Sequence, residues 1–417
     1  MKRRQWIAVL LCFALLLCPF HVGATLIWDT ESGENQKEIL SLKTPEVLSE
    51  EWAEDVVADG SALQIGGKSA VLMDQASGTV LYEKNSHEKL PIASVTKVMT
   101  LLLVMEAIDE ELISIDDHVT CSSVAASMGG SQIWLEPGEV MTVHELVKAA
   151  AIVSANDACA ALAEHIAGSI EGFVERMNLR AAELGMNDTH FMDCSGLNDQ
   201  AYSSAHDVAI MSRELMKHSA ITQYTTTWMD TLRDGKSQLV NTNKLIRFYD
   251  GATGLKTGTT SAAGHNLAAT AERNGLAFVA VVLGCATTDE RFGGARKLLD
   301  HGFANYALYK PTLDDTPLTP IKVLHGVEEE VEIVADEMQA LLVKKGSEKQ
   351  ITRTLRIAED VQAPVENGQV VGEVTFSLNG EELARYPIRV YREVAKLNFG
   401  VAFSKLWRAL CVDELSN

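Results

Sequence analysis

The chain is short of positive charge. Its 417 residues hold 36 lysines and arginines against 57 aspartates and glutamates, a formal net charge of −21. A surface so acidic repels phosphate backbones, which argues against a nucleic-acid partner. It also lacks clustered metal ligands: seven cysteines are scattered with no C-x-x-C pair and no His-rich tract. No zinc site is expected, and no other metal or organic cofactor is implied. There is no internal repeat and no low-complexity tract. What is present, 47% hydrophobic and 22% charged residues, is an ordinary globular composition, long enough for one large domain and a smaller one.

Lys2, Arg3 and Arg4 precede an apolar run from Trp6 to Phe20, then the small-residue segment Val22-Gly23-Ala24. That order predicts a secretory signal peptide, residues 1–24, cleaved after Ala24. The run is shorter than the ~20 residues of a membrane span. Leu17 before Cys18 argues against a lipoprotein signal. Residues 25–60 read as a polar, acidic leader. Of the cysteines beyond the signal, Cys121, Cys159, Cys194, Cys285 and Cys411 read as buried apolar thiols.

From Ala70 the pattern is that of an α/β or α+β domain, residues 61–310. Ala70–Met73 and Thr79–Tyr82 flank a Gly-containing turn and predict a β-hairpin. The stretch from Ser94 to Ala107 is apolar almost all round and predicts a buried helix. Val143–Ile166 is helical with an interruption near Ser154; Glu171–Leu184 and Ala205–His218 are further helices. The continuous apolar run Leu276–Leu283 suits a central strand. After a break at Lys310–Pro317, short β-type runs predict a small all-β domain, residues 317–392, with a hairpin turn at Asn379-Gly380. The tail, residues 395–417, mixes Leu397, Phe399, Phe403, Leu406 and Trp407 with Lys396, Lys405 and Arg408. It is either an interfacial membrane helix or a helix docked on the β domain.

Three short motifs could carry chemistry. Ser94 and Lys97 are one helical turn apart, so the lysine can donate to the serine hydroxyl and, once neutral, take its proton. A similar Ser86-His87-Glu88-Lys89 lies in a polar loop and is set aside. Ser154-Ala155-Asn156 interrupts the Ala-rich stretch, where a hydroxyl and an amide can both face a cleft; Ser377-Leu378-Asn379 belongs to the hairpin. Lys256-Thr257-Gly258-Thr259, within Gly251–Gly264, reads as an edge strand beside the cleft. There Lys256 brings positive potential and Thr257 a hydroxyl. Gly258 lets a substrate backbone approach, and the Thr259 N–H can join that of Ser94 in an oxyanion hole.

These motifs, in this order and spacing, resemble the signature of penicillin-binding proteins and serine β-lactamases. Pro91–Thr100, Thr189–Leu197, Tyr202–Asp207 and Lys256–Ala271 are similar to segments of the low-molecular-mass D-alanyl-D-alanine carboxypeptidases. The resemblance covers residues from about 60 to the end. It implies a penicillin-binding/β-lactamase-like transpeptidase domain with a small all-β C-terminal domain, and a tail that holds the enzyme on the outer face of the cytoplasmic membrane. It implies a serine-type enzyme that removes the terminal D-alanine from peptidoglycan pentapeptides through an acyl-enzyme and is inhibited by β-lactam antibiotics. By the same resemblance Ser94 is the nucleophile, Lys97 the general base and Ser154 the proton relay. Asn156 orients substrate and Lys97. Lys256, Thr257 and Arg291 bind the terminal carboxylate, although Arg291 could instead make a structural salt bridge.

Two positions depart from the family pattern. Thr259 stands where many relatives have His, and Asp193 where the T-x-F-x-N loop normally has Asn, which puts that loop's hydrogen bonding in question. The segment between the second and third motifs holds no E-x-x-L-N, so slow release of penicillin is expected rather than β-lactamase turnover. A non-hydrolysing penicillin-binding sensor or scaffold, and a cross-link endopeptidase, are the other readings.

Overall fold

The computed structural model describes residues 63–412, with side chains as far as Trp407. The expected signal peptide, the leader and the side chain of Cys411 lie outside the described residues.

Strands β1 (Ser69–Asp74) and β2 (Val80–Lys84) form the predicted hairpin. A 3₁₀ turn, Ala93–Thr96, leads into helix α1 (Lys97–Asp109). Strands β3 (His118–Thr120) and β4 (Val140–Thr142) make a short ribbon before α2 (Val143–Ile152), α3 (Asn156–Ala167), α4 (Ile170–Glu183) and α5 (Ala205–Leu215). A second ribbon, β5 (Met229–Leu232) with β6 (Ser237–Val240), precedes β7 (Ala252–Thr260), β8 (Gly264–Arg273), β9 (Leu276–Cys285) and α6 (Thr288–Asn305).

The main sheet runs β2-β1-β9-β8-β7, antiparallel throughout. The apolar run read as a central strand is β9. Because successive strand residues point to opposite faces, β9 splits its side chains between two cores. Val279, Val281 and Leu283 join Val71 and Met73 against the helices α1 to α5. Phe278, Ala280 and Val282 join Ala70 and Leu72 against Leu298 and Leu299 of α6. A strand buried on both faces needs apolar residues at every position, which is why the run is continuous. Helix α1 is wrapped by the first core, and only Leu103, Glu106, Ile108 and Asp109 escape full burial. The α2–α3 break falls at Ser154, whose backbone is left-handed (φ 65°). A capping box between Thr142 and Glu145 starts α2, the kind of cap worth about 1 kcal/mol.

The β domain begins earlier than the sequence suggests. Strand β10 (Tyr306–Tyr309) follows α6 directly and pairs with β14 (Leu341–Lys344). The other strands are β11 (Ile321–Leu324), β12 (Glu330–Val331), β13 (Ile333–Ala335), β15 (Ile351–Ile357), β16 (Asp360–Gln362), β17 (Val370–Leu378) and β18 (Glu381–Val390). They form sheets ordered β12-β11-β16 and β13-β18-β17-β15, with Ile321, Val323, Ile333, Ile388 and Val390 in the core between them. Bridges Val365–Val394 and Gly326–Lys396 carry the domain past residue 392. The polar stretch Lys310–Pro317 is therefore a loop inside this domain, because strand pairing, not loop composition, sets its limits. Helix α7 (Phe399–Val412) starts four residues later than expected. No helix among the described residues is long and apolar enough to cross a membrane.

Candidate active site

Ser94 sits in the 3₁₀ turn ahead of α1, entered through Ala93 in a left-handed conformation (φ 49°). Such a backbone is uncommon for a residue with a Cβ and marks local strain. Lys97 opens α1. Its Nζ donates to Ser94 Oγ at 3.0 Å and to the Ser195 carbonyl at 2.6 Å. It is completely buried, and burial lowers its pKa against the opposing pull of Cys159, Cys194, Asp193 and Asp157. A lysine pushed toward neutrality beside a hydroxyl is the arrangement a general base requires.

Ser154 and Asn156 come from the α2–α3 break. Asn156 Nδ2 donates to the Gly129 carbonyl at 2.6 Å, whereas its Oδ1 and Ser154 Oγ are buried without partners among the described residues. The neighbouring Asp157 accepts from the backbone of Ile133, Leu135 and Ala158, pinning segment 133–135 to the break. Here the geometry corrects one expectation. No hydrogen bond joins Asn156 to Lys97; the Ser195 carbonyl orients the lysine instead.

Edge strand β7 supplies the third side. Lys256 is buried, and among the described residues its Nζ donates only to the Thr257 carbonyl (3.0 Å). Burial, then Lys97 and Arg291, hold its pKa well below the usual lysine value. Thr257 Oγ1 donates to Thr242 Oγ1 at 2.8 Å. Gly258 has a different reason from the one expected: a Cβ there would stand 2.5 Å from the Ile92 carbonyl and 3.1 Å from Ser94 N. The close approach is by the nucleophile turn itself, so β7 can press its edge against Ser94. Arg291 reaches in from α6. Its Nη1 donates to Thr259 Oγ1 (3.0 Å) and the Gly258 carbonyl (3.2 Å), and its Nε is buried without a partner. It makes no salt bridge among the described residues, against the structural alternative.

Three buried basic side chains, Lys97, Lys256 and Arg291, are thus gathered here, and none has a carboxylate oxygen within 4.0 Å among the described residues; burial pushes both lysines toward neutrality, so Arg291 is the fixed charge. Uncompensated buried charge costs several kcal/mol, so a site built this way is suited to an incoming anion. No group of three or more His, Cys, Asp or Glu among the described residues is placed to hold a metal ion. Cys121, Cys159, Cys194 and Cys285 are buried free thiols.

The supporting groups stand outside the three sequence motifs. Asn266 donates to the Pro91 carbonyl and accepts from Gly284 N, tying β8 to the nucleophile segment and to β9. His265, across from Thr259 on the neighbouring strand, places Nδ1 3.4 Å from Thr259 Oγ1 and 3.3 Å from Thr288 Oγ1. An imidazole therefore stands beside the position where many relatives carry one.

Residues 56–287 match a family model described as D-alanyl-D-alanine carboxypeptidase, and residues 306–396 match one described as the C-terminal domain of penicillin-binding protein 5. The chain is 43% identical over 344 residues to the D-alanyl-D-alanine carboxypeptidase DacF of Bacillus subtilis, covering 81% of this chain and 88% of that one. It is similar to the solved penicillin-binding protein 5 of Haemophilus influenzae, with 31% identity and a TM-score of 0.70 over 81% of this chain and all of that one. It is also similar to penicillin-binding protein D2 of Listeria monocytogenes, solved in its ampicillin-bound form. There the identity is 32% and the TM-score 0.54, over 58% of this chain and all of that one.

Proposed function

The chain belongs to the D-alanyl-D-alanine carboxypeptidase family, and from that premise we propose how its residues share the reaction and where the enzyme sits. It is a serine-type D-alanyl-D-alanine carboxypeptidase and a penicillin-binding protein: it removes the terminal D-alanine of peptidoglycan stem peptides through an acyl-enzyme.

Neutral Lys97 takes the proton from Ser94 Oγ as the oxygen attacks the carbonyl between the two D-alanines. The oxyanion is held by the N–H groups of Ser94 and Thr259. As the tetrahedral intermediate collapses, Ser154 passes the proton to the departing amine, free D-alanine leaves and an ester on Ser94 remains. Water then attacks the ester, Lys97 again accepting the proton, and Ser94 is regenerated. Asn156 holds the peptide through its free Oδ1. The terminal carboxylate lies against Thr257, Thr259, Arg291 and Lys256. The single observation behind this assignment is buried Arg291 together with buried Lys256, neither with a carboxylate oxygen within 4.0 Å among the described residues. The test compares D-alanine release from a peptide ending in D-Ala-D-Ala with the same peptide amidated at its C-terminus. A preference of about a hundredfold or more for the acid is expected, because the amide leaves the buried charges unpaired. Equal rates would remove Arg291 and Lys256 from substrate recognition.

The enzyme is secreted and rests on the outer face of the cytoplasmic membrane through α7. The N-terminal order of basic, apolar and small residues supports export. Phe399, Phe403 and Trp407, at four-residue intervals, are more than half exposed and stack in a row at 6.1 and 6.2 Å. A docked helix would bury that row, whereas an interfacial helix presents it to lipid. Lys405 Nζ donates to the Val327 carbonyl, which ties the helix to the β domain by its polar side. Flotation with vesicles containing anionic lipid is expected to carry the wild type and to lose the F403S/W407S double variant. Equal flotation of both would reject the assignment.

A further inference from the structure

Asp193, the position that departs from the family pattern, does not loosen its loop. Its Oδ1 accepts from Ser195 N (2.6 Å), Ser195 Oγ (3.1 Å) and Gly196 N, and its Oδ2 accepts from Asn198 N (2.6 Å). A carboxylate accepts at both oxygens, whereas an asparagine here would turn an amide donor toward the Asn198 or Ser195–Gly196 donors. The loop so folded docks on α1 through two consecutive carbonyls. Cys194 O accepts from Thr100 Oγ1 (2.6 Å) and Ser195 O from Lys97 Nζ (2.6 Å). It also abuts the nucleophile turn, for Gly196 is left-handed (φ 82°) and a Cβ on it would stand 1.9 Å from the Ala93 carbonyl. One carboxylate thereby sets the position of a loop that touches both Lys97 and the residue before Ser94.

We propose that Asp193 is a positioning residue for Lys97, acting through the carbonyl it places on the lysine amine and through its own charge. This deepens, and rests on, the reading of Lys97 as the base. The charged and titratable groups facing Lys97 are Asp157 and Cys159 from α3, Asp193 and Cys194 from the loop, and Lys256 from β7. Burial pushes the Cys159 thiol up to about 11 and Cys194 in the same direction, so both are neutral at physiological pH. The negative charge near the amine then comes from the two aspartates, and Asp157 is occupied with the backbone of segment 133–135. Asp193 favours the protonated amine, burial the neutral one. Removing the charge at 193 must extend neutral Lys97, and with it acylation, to lower pH.

The test is the second-order rate of acylation by benzylpenicillin across pH, per titrated active site, for the full chain with Asp193, D193N and D193A, with melting temperatures alongside. D193A is expected to lose about a hundredfold at the plateau, the order of loss that misplacement of a catalytic group produces. D193N is expected to lose less and to move the acid limb to lower pH, and it decides the matter if D193A does not fold. Unchanged rates and an unchanged acid limb in D193N, whatever its melting temperature, would overturn the proposal and leave Asp193 a structural residue. A wild-type acylation rate with no acid limb would instead strike at Lys97 as base and take the inference with it.

Discussion

The β domain and the catalytic cleft treat basic residues in opposite ways. In the β domain Arg353 pairs with Asp315, Arg385 with Glu373 and Glu382, Arg389 with Asp336 and Arg392 with Glu328, all at partly exposed positions. In the cleft Lys97, Lys256 and Arg291 are buried and bond only to hydroxyls and carbonyls. Polar atoms show the same contrast: among the described residues Ser154 Oγ, Asn156 Oδ1 and Arg291 Nε are buried without partners, and no buried side-chain atom of the β domain is so left. Buried polar groups are nearly always satisfied where only stability is at stake. Unmet bonding capacity at the cleft indicates groups held ready for a ligand, at some expense to the fold.

Two substitutions sharpen that contrast. The larger effect belongs to Lys256→Met, which keeps the length and removes the charge. Acylation and peptide turnover should fall by about a hundredfold, as expected when a positioned charge is lost. Unfolding free energy at neutral pH should rise by about 1–3 kcal/mol, because a buried amine whose protonated form is disfavoured is replaced by an apolar chain. The pH dependence carries a sign. The folded-state pKa of Lys256 lies well below 10.5, so between the two values the unfolded chain binds the extra proton. The wild type therefore regains stability as pH climbs toward 10.5, and its gap to Lys256→Met should narrow. A variant less stable than wild type at neutral pH would break the comparison. The smaller effect belongs to Arg385→Ala in the β domain. An exposed pair is worth about 0–1 kcal/mol and Arg385 makes two, so denaturant unfolding should shift by about 0–2 kcal/mol, with acylation unchanged. A large loss there would mean that the surface pairs, too, hold the fold.

Much of the site could be read in the sequence because its side chains recur at fixed spacings. Ser94 and Lys97 share a helical turn, the helix break exposes Ser154 and Asn156, and β9 announces its central place by an unbroken apolar run. What escaped was backbone. The Ser195 carbonyl on Lys97 comes from 98 residues away, and a carbonyl leaves no mark in a residue pattern. The sequence marks Gly258 as a point of close approach but not what approaches it, since the fold of the nucleophile turn against β7 is a tertiary fact. Strands β11 and β16, four and three residues long, are too short for alternation to register. The proline-marked loop at 310–317 drew the domain limit away from β10, which only pairing with β14 reveals.

The most direct test of the central claim, an acyl-enzyme on Ser94, is the intact mass of the full chain after exposure to benzylpenicillin, beside Ser94→Ala, with D-alanine release from a D-Ala-D-Ala peptide followed in parallel. A single drug adduct on the wild type, none on Ser94→Ala, and D-alanine release by the wild type alone are expected. An adduct that persists on Ser94→Ala, or a wild type that forms none and releases no D-alanine, would contradict the account.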